Sequence, residues 1–295
     1  MKEEDYPALF CQANRASADA QRQYANLTKA TLVFLVIGAG LAAVSPAFLS
    51  ARFFFAISSA IVVAGSLVLT FYAKILRPEQ VWYGGRAVAE STKSMTWRYM
   101  TGAAPYFVDL ACSHVDHKLV SDLSSIVKER KYLAFGFGGE FAEQPQITAF
   151  MRSLRSATLV ERRTSYLTER IADQRRWYCR QAKSNRTAET AFFGFIVATQ
   201  TFALFAAIAL VHWPDSRIKL TGLLTALASA LIAWLQLRQH KELAQSYSIA
   251  ELELGLIQEQ APYVASDREL SDFVIDAENA ISREHTLWIA RRDKT

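Results

Sequence analysis

Residues 30–51 read ATLVFLVIGAGLAAVSPAFLSA, 22 positions from Ala30 to Ala51 without one Asp, Glu, Lys or Arg. Three more stretches are equally free of charge: Phe53 to Ala73 (21 residues), Thr190 to Pro214 (25) and Leu220 to Leu237 (18). A helix needs about 20 mostly apolar residues to cross a hydrocarbon core of roughly 30 Å. All four stretches reach or approach that length. A soluble helix this long would keep a polar face toward water, yet TLVFLVIGAGLAAV and FFGFIVATQTFALFAAIALV are apolar all round. The stretch from Leu220 differs in carrying four hydroxyl or amide side chains, Thr221, Thr225, Ser229 and Gln236.

Working outward, the charge-free stretches fall in two pairs, each joined by a short link. An overall composition of 51% hydrophobic and 21% charged residues therefore averages two populations. The fold class this predicts is all-α, an integral membrane protein with four transmembrane helices in two hairpins and long cytosolic helices. A polar stretch with Glu3, Glu4, Asp5 and Asp19 precedes the first apolar run, which is not the pattern of a signal peptide. The links hold Arg52, Arg217 and Lys219, only 3 of the 33 basic residues. By the positive-inside rule the other segments, and with them both termini, face the cytosol. The expected organisation is a cytosolic helix over 1–29, a first hairpin over 30–73, a helix and linker region over 74–146, a helix leading to the membrane over 147–189, a second hairpin over 190–237 and C-terminal helices over 238–295. Cys11, Cys112 and Cys179 are odd in number and on the expected cytosolic side, so they are read as packed thiols.

Local signals place the polar helices. Arg77-Pro78-Glu79 restarts a helix with proline at its first position. Trp82, Arg86, Glu90 and Lys93 then share one helical face. Gly84 and Gly85 cost that helix about 1 kcal/mol each relative to alanine, which points to close helix contact. A helix is expected from Asp116 to Lys131, then a short strand at Tyr132 to Phe137. Thr158 and Glu161 have capping-box spacing and start a long helix with the stripe Leu167, Ile171, Tyr178 and Ala182. Leu243, Tyr247, Ala250, Leu254, Ile257 and Ala261 alternate at four and three like a coiled-coil seam, and packing within one chain or between chains satisfies it equally. Ser266 and Glu269 form a second capping box, opening a helix through Ile281 to about Trp288.

No constellation for catalysis emerges: GxSxG, HExxH, CxxC and P-loop patterns are missing from the sequence, and no enzyme is expected. GFGG at Gly136 to Gly139 lacks a lysine-serine pair and reads as a turn. His114, Asp116 and His117 lack further zinc ligands nearby and read as a turn or helix start. Ser282-Arg283-Glu284-His285 is flanked by Ile281 and Trp288 on one helical face and reads as a packed C-terminal helix. No metal or cofactor site is predicted. Absence of any intramembrane charge argues against an ion-coupled carrier.

Two features remain. Thr221, Thr225, Ser229 and Gln236 form a weakly polar stripe on the fourth span, and Ser59, Ser66 and Thr70 a similar one on the second. Small and hydroxyl residues mediate helix packing in lipid; turned inward in an oligomer, the same residues would line a pore. Charge is also uneven. Lys74 to Glu189 has 19 basic and 12 acidic residues, net +7, and Arg238 to Thr295 has 7 and 11, net −4, so the two segments are expected to pack together. Within the first, Arg175, Arg176, Trp177, Tyr178, Arg180, Lys183 and Arg186 combine positive charge with aromatic faces. That set suits a nucleotide or oligonucleotide, anionic headgroups, or salt bridges.

These residues resemble a known family. MRSLRSATLVERRTSYLTERIADQRRWYCRQAKSN, ending at Asn185, followed by a hairpin and by ISREHTLWIARR at Ile281 to Arg292, is similar to the SLATT family, the SMODS and SLOG-associating two-transmembrane effector domains. YPALFCQANRASADAQRQY at Tyr6 to Tyr24 and WYGGRAVAESTKSMTWRYM at Trp82 to Met100 resemble another subtype, which implies two units in tandem. The resemblance implies an effector of bacterial conflict systems in the inner membrane, encoded beside a nucleotidyltransferase that makes its signal. It transfers no catalytic residue. The function expected is a homo-oligomeric pore or channel in the lipid bilayer, regulated by a cytosolic nucleotide or oligonucleotide. The alternative is a non-conducting membrane scaffold that recruits a cytosolic partner through its long helices.

Overall fold

The computed structural model describes residues 1–130, 143–216 and 218–292, with backbone only beyond residue 282. The strand expected at Tyr132 to Phe137, the GFGG turn, Arg217 and the side chains of Arg283 to His285 lie outside the described residues. The regular structure described is helical, with no strand among the described residues. Four rods, Ala8–Ala47, Arg52–Thr101, Leu159–His212 and Leu220–Tyr263, are each long and apolar enough over part of their length to cross a membrane. Only 6–11% of residues in their most apolar windows are buried within the chain. That decides against a soluble core, because burying such helices is the only soluble alternative.

Each hairpin is entered by an unbroken helix and left through a break. Helix α1 (Ala8–Val44) carries the polar arm into the first span without a break, and a 3-10 turn at Ser45–Ala47, with Pro46 inside it, leads to α2 (Arg52–Leu76). Here Arg77 adopts φ 45 and ends α2, and Pro78 begins α3 (Pro78–Thr101). The second hairpin repeats the plan. Helix α7 (Ala172–His212) enters unbroken, α8 (Leu220–Arg238) returns, and Gln239 at φ 49 separates it from α9 (His240–Gln258). A non-glycine residue in the left-handed region is uncommon, so its recurrence at both exits is a structural repeat that residue identity hides.

Two compact units result, and each draws on both halves of the chain. The span unit comprises Arg22–Pro78 and Lys183–Glu242; the core unit comprises Met1–Gln21, Glu79–Ala182 and Leu243–Thr295. The core unit packs the first part of α1, α3, α4 (Cys112–Glu129), α5 (Ala149–Arg155), α6 (Leu159–Ser165), α9 and α10 (Asp267–Arg292) around Trp97, Tyr166, Leu119, Met151, Leu254 and Val274. Helix α4 starts four residues earlier than expected, at Cys112, and buries Val115, Leu119 and Leu123 along one face. Both capping boxes form: Glu161 accepts from Thr158, and Glu269 from the Ala265 and Ser266 amides. The backbone of Gly85 lies so close to α1 that a Cβ would stand 3.2 Å from the Ala13 carbonyl, the close contact that the glycine pair suggested. The seam on α9 is internal: Ala250, Leu254 and Ala261 are buried in the core unit. Of the three cysteines only Cys11 is buried, whereas Cys112 and Cys179 are exposed. The packed-thiol expectation fails for those two because each lies on the outer face of its helix.

Candidate functional site

The first hairpin is interlocked. Ser59 Oγ donates to the Gly38 carbonyl at 2.8 Å. A Cβ on Gly38 would stand 2.7 Å from Val63 Cγ2, and one on Gly65 would stand 2.9 Å from the Phe34 ring. Ser66 is buried and donates to the Val63 carbonyl at 2.7 Å; Thr70 is exposed and donates to the Ser66 carbonyl. Outward, α2 shows lipid-type side chains, among them Phe53, Phe54, Ile57, Ile61 and Phe71.

The second hairpin presents another kind of surface. Gly194 on α7 and Gly222 on α8 have nothing within 4 Å of where a Cβ would stand. The exposed residues of α8 beyond Leu220 are Gly222, Thr225, Ser229, Ala233 and Gln236, at spacings of three, four, four and three; Thr221 is half-buried. No large apolar side chain is exposed from Thr221 to Arg238, whereas α1, α2 and α7 each expose several. Thr225 Oγ1 satisfies itself on the Thr221 carbonyl at 2.8 Å. The two hairpins belong to one packed unit: Lys29 lies over the Trp234 ring at 5.2 Å, and Gly40 faces Leu223.

The basic and aromatic residues of α7 divide. Arg175 pairs with Glu251 at 2.7 Å and donates to Gln258 Oε1 at 3.0 Å, with its guanidinium against Gly255. Trp177 packs on Tyr178 and Tyr247 at 5.3 and 5.2 Å between ring centroids, with Arg86 over its ring. Both side chains hold α9 in place and offer little to a ligand. Arg176, Arg180, Lys183 and Arg186 are exposed, Arg176 standing 3.8 Å from Asp173. The net +7 and −4 segments do pair: Arg162 with Asp267 at 2.5 Å, Arg170 with Glu278 at 2.7 Å and Arg175 with Glu251.

The most buried of these pairs sits where the helix winds into a π turn, Tyr166–Ile171, between α6 and α7. The extra residue per turn brings Tyr166 and Arg170 inward together. Glu278 on α10 accepts two bonds from Arg170, at 2.9 and 2.7 Å, one from Tyr166 at 3.0 Å and one from Ser94 at 2.6 Å. Burial works against the Arg170 charge, and Glu278 more than restores it, so the guanidinium stays firmly protonated. Burial pushes the Tyr6 hydroxyl up to about 12. Lys93, half-buried over the Tyr6 and Phe10 rings at 5.8 and 5.9 Å, is lowered to about 8 by burial and by Arg170. With every Glu278 bond satisfied inside the core, the cluster is a lock rather than a reactive site. Arg155 and Arg162 are buried too, donating to the Tyr99, Tyr106 and Thr101 carbonyls. They tie the last turn of α3, at Tyr99 and Thr101, and the chain just beyond it at Tyr106 to the second half of the chain. A basic residue in a polar segment reads as exposed, so only its position beside an apolar stripe, Arg170 before Ile171 and Glu278 after Ala277, hints at these roles.

Asp116, between the two histidines, accepts from Tyr99 at 2.6 Å and Arg152 at 2.8 Å, a structural tie in the first turns of α4. No metal-binding cluster of His, Cys, Asp or Glu occurs among the described residues. A cleft of about 520 Å³ beside Phe107 and Asp272 includes Asp267, already paired with Arg162.

Two apolar hairpins, each reached by an unbroken helix and left through a left-handed residue, coincide with two family matches: SMODS and SLOG-associating 2TM effector domain 3 over residues 7–163, and SMODS and SLOG-associating 2TM effector domain 1 over residues 166–288. The chain belongs to the SLATT family. Comparison with curated proteins and with solved structures gives no match. The two SLATT domains share one core unit. Ser94 belongs to the first and Arg170 and Glu278 to the second, so the buried lock ties one SLATT domain to the other across the shared core unit.

Proposed function

We propose that the protein is a membrane effector of a bacterial conflict system that assembles into a pore with α8 turned toward its axis. The observation that carries this is the outward face of α8, on which Gly222, Thr225, Ser229, Ala233 and Gln236 replace the large apolar side chains of the other three spans. Lipid tails favour bulky apolar contacts, whereas small and hydroxyl side chains suit either water or the close approach of another helix. A ring of copies supplies both. Thr70 on α2 is the remaining candidate of the second-span stripe that faces outward. The core unit and both termini lie in the cytosol of the host, on the side that the distribution of basic residues favours.

The signal is an anionic ligand, a nucleotide or oligonucleotide from an adjacent nucleotidyltransferase, taken by the exposed Arg176, Arg180, Lys183 and Arg186. Arg175 and Trp177 shape the ground beneath that face through α9 and do not contact the ligand. Binding shifts the pore by its differential affinity for the two states. The test is ion flux from liposomes holding the full chain, with and without candidate nucleotides. Flux that falls in the Thr225→Leu/Ser229→Leu protein, with assembly intact, supports the pore; flux that never appears, or that ignores both substitutions, overturns it and leaves a non-conducting scaffold.

A further inference from the structure

Helix α9 is apolar on two sides. One side is the internal seam already described. The other holds Gln245, Ile249, Leu252 and Leu256, at spacings of four, three and four, and all four are exposed. Ile249, Leu252 and Leu256 are 65%, 64% and 71% accessible, and Tyr263, seven residues beyond Leu256, is 82% accessible. The spacing is that of a coiled-coil seam with a polar residue at its start.

We propose that this second seam of α9 is where a neighbouring copy of this chain docks. The choice of a second copy rests on the pore reading above. Only Gln239 separates α9 from α8, so in every copy held in one bilayer α9 begins at the same membrane surface. Charge excludes the obvious competitor. From Glu242 to Asp267 the chain has no Lys or Arg but carries Glu242, Glu251, Glu253, Glu259 and Asp267, whereas helices that lie on anionic lipid carry basic polar faces. Ile249, Leu252 and Leu256, with Tyr263 in the 3-10 turn just beyond α9, would bury roughly 500 Å² per copy, about 1,000 Å² for a pair, the smallest area expected of a specific interface. Confinement of all copies to one membrane raises their effective concentration further. Gln245 sets the register as the single polar residue in the seam.

The test uses the full chain in proteoliposomes, with Cys112 and Cys179 changed to serine. Leu252→Cys should give a covalent dimer on mild oxidation, and Ser121→Cys, exposed on α4, should not. Separately, Leu252→Glu/Leu256→Glu should shift the detergent-solubilised protein from its assembled mass to a single chain, with helical content unchanged. The seam is overturned if Leu252→Cys does not cross-link, if the double glutamate variant keeps the assembled mass, or if the Leu252→Cys thiol is instead shielded by phosphatidylglycerol vesicles at a dilution where copies are alone. The pore reading fails separately: a cross-link at Leu252 with flux indifferent to Thr225→Leu/Ser229→Leu keeps the seam and removes the pore. A flux response to those substitutions without any cross-link does the reverse.

Discussion

The two hairpins of this chain have the same length class, the same unbroken entry and the same left-handed exit, yet they use their small residues in opposite ways. In the first, Gly38, Ser59 and Gly65 face the partner helix and allow α1 and α2 to interlock. In the second, Gly194, Gly222, Thr225 and Ser229 are exposed, and a Cβ on either glycine would meet nothing within 4 Å. Composition alone cannot separate these cases, because glycine and serine serve close packing and polar surfaces equally. The first hairpin thus uses its small residues for its own packing, and the second leaves them exposed.

The largest effect is expected in the core unit, where one lock joins the two SLATT domains. Glu278→Gln leaves the Arg170 charge buried without its partner and should cost about 3–5 kcal/mol. Thermal unfolding in detergent should show both halves of the chain losing structure together; separate transitions for the two halves would refute the shared core. Next, Gly38→Leu should cost about 1–3 kcal/mol by overpacking against Val63, while Gly194→Leu should be near neutral. Equal losses from the two would erase the distinction between hairpins.

A third effect tests the core unit itself. The folded-state pKa of Lys93, about 8, lies below its ordinary 10.5 through burial and Arg170, with Arg86 adding to the repulsion and Glu90 and Glu278 opposing it. Between those values the unfolded chain binds more protons, so stability rises with pH through that window, and the full cost is present below pH 8. Lys93→Met should therefore raise stability at pH 7 by about 1–2 kcal/mol, allowing for partial exposure, and flatten the rise. Denaturant titrations at pH 7 and 10 measure both. The smallest effect is at Ser59: Ser59→Ala should cost about 0.5–1.5 kcal/mol, the worth of one hydrogen bond, and Ser229→Ala nothing measurable.

Much of the fold was legible beforehand because its signals are local. Charge-free runs, Pro78, and the Thr158 and Ser266 boxes each act within a few residues. The candidate site was legible only in part. Arg175 and Trp177 belong to the same basic and aromatic run as Arg180, but partners 76 and 70 residues away, Glu251 and Tyr247, draw them inward. The burial of Arg155, Arg162 and Arg170 was invisible for the same reason: their acceptors are α3 carbonyls, Asp267 and Glu278.

By itself the sequence determined that this chain is helical, crosses a membrane four times and carries two related hairpins, since hydrocarbon thickness and backbone hydrogen bonding leave no other use for such runs. Only the tertiary structure decided which small residues face a partner helix and which face outward, which arginines are occupied, and which side of α9 remains uncovered. Those are properties of pairs of distant residues, and a linear pattern specifies the face of a helix without specifying what comes to cover it.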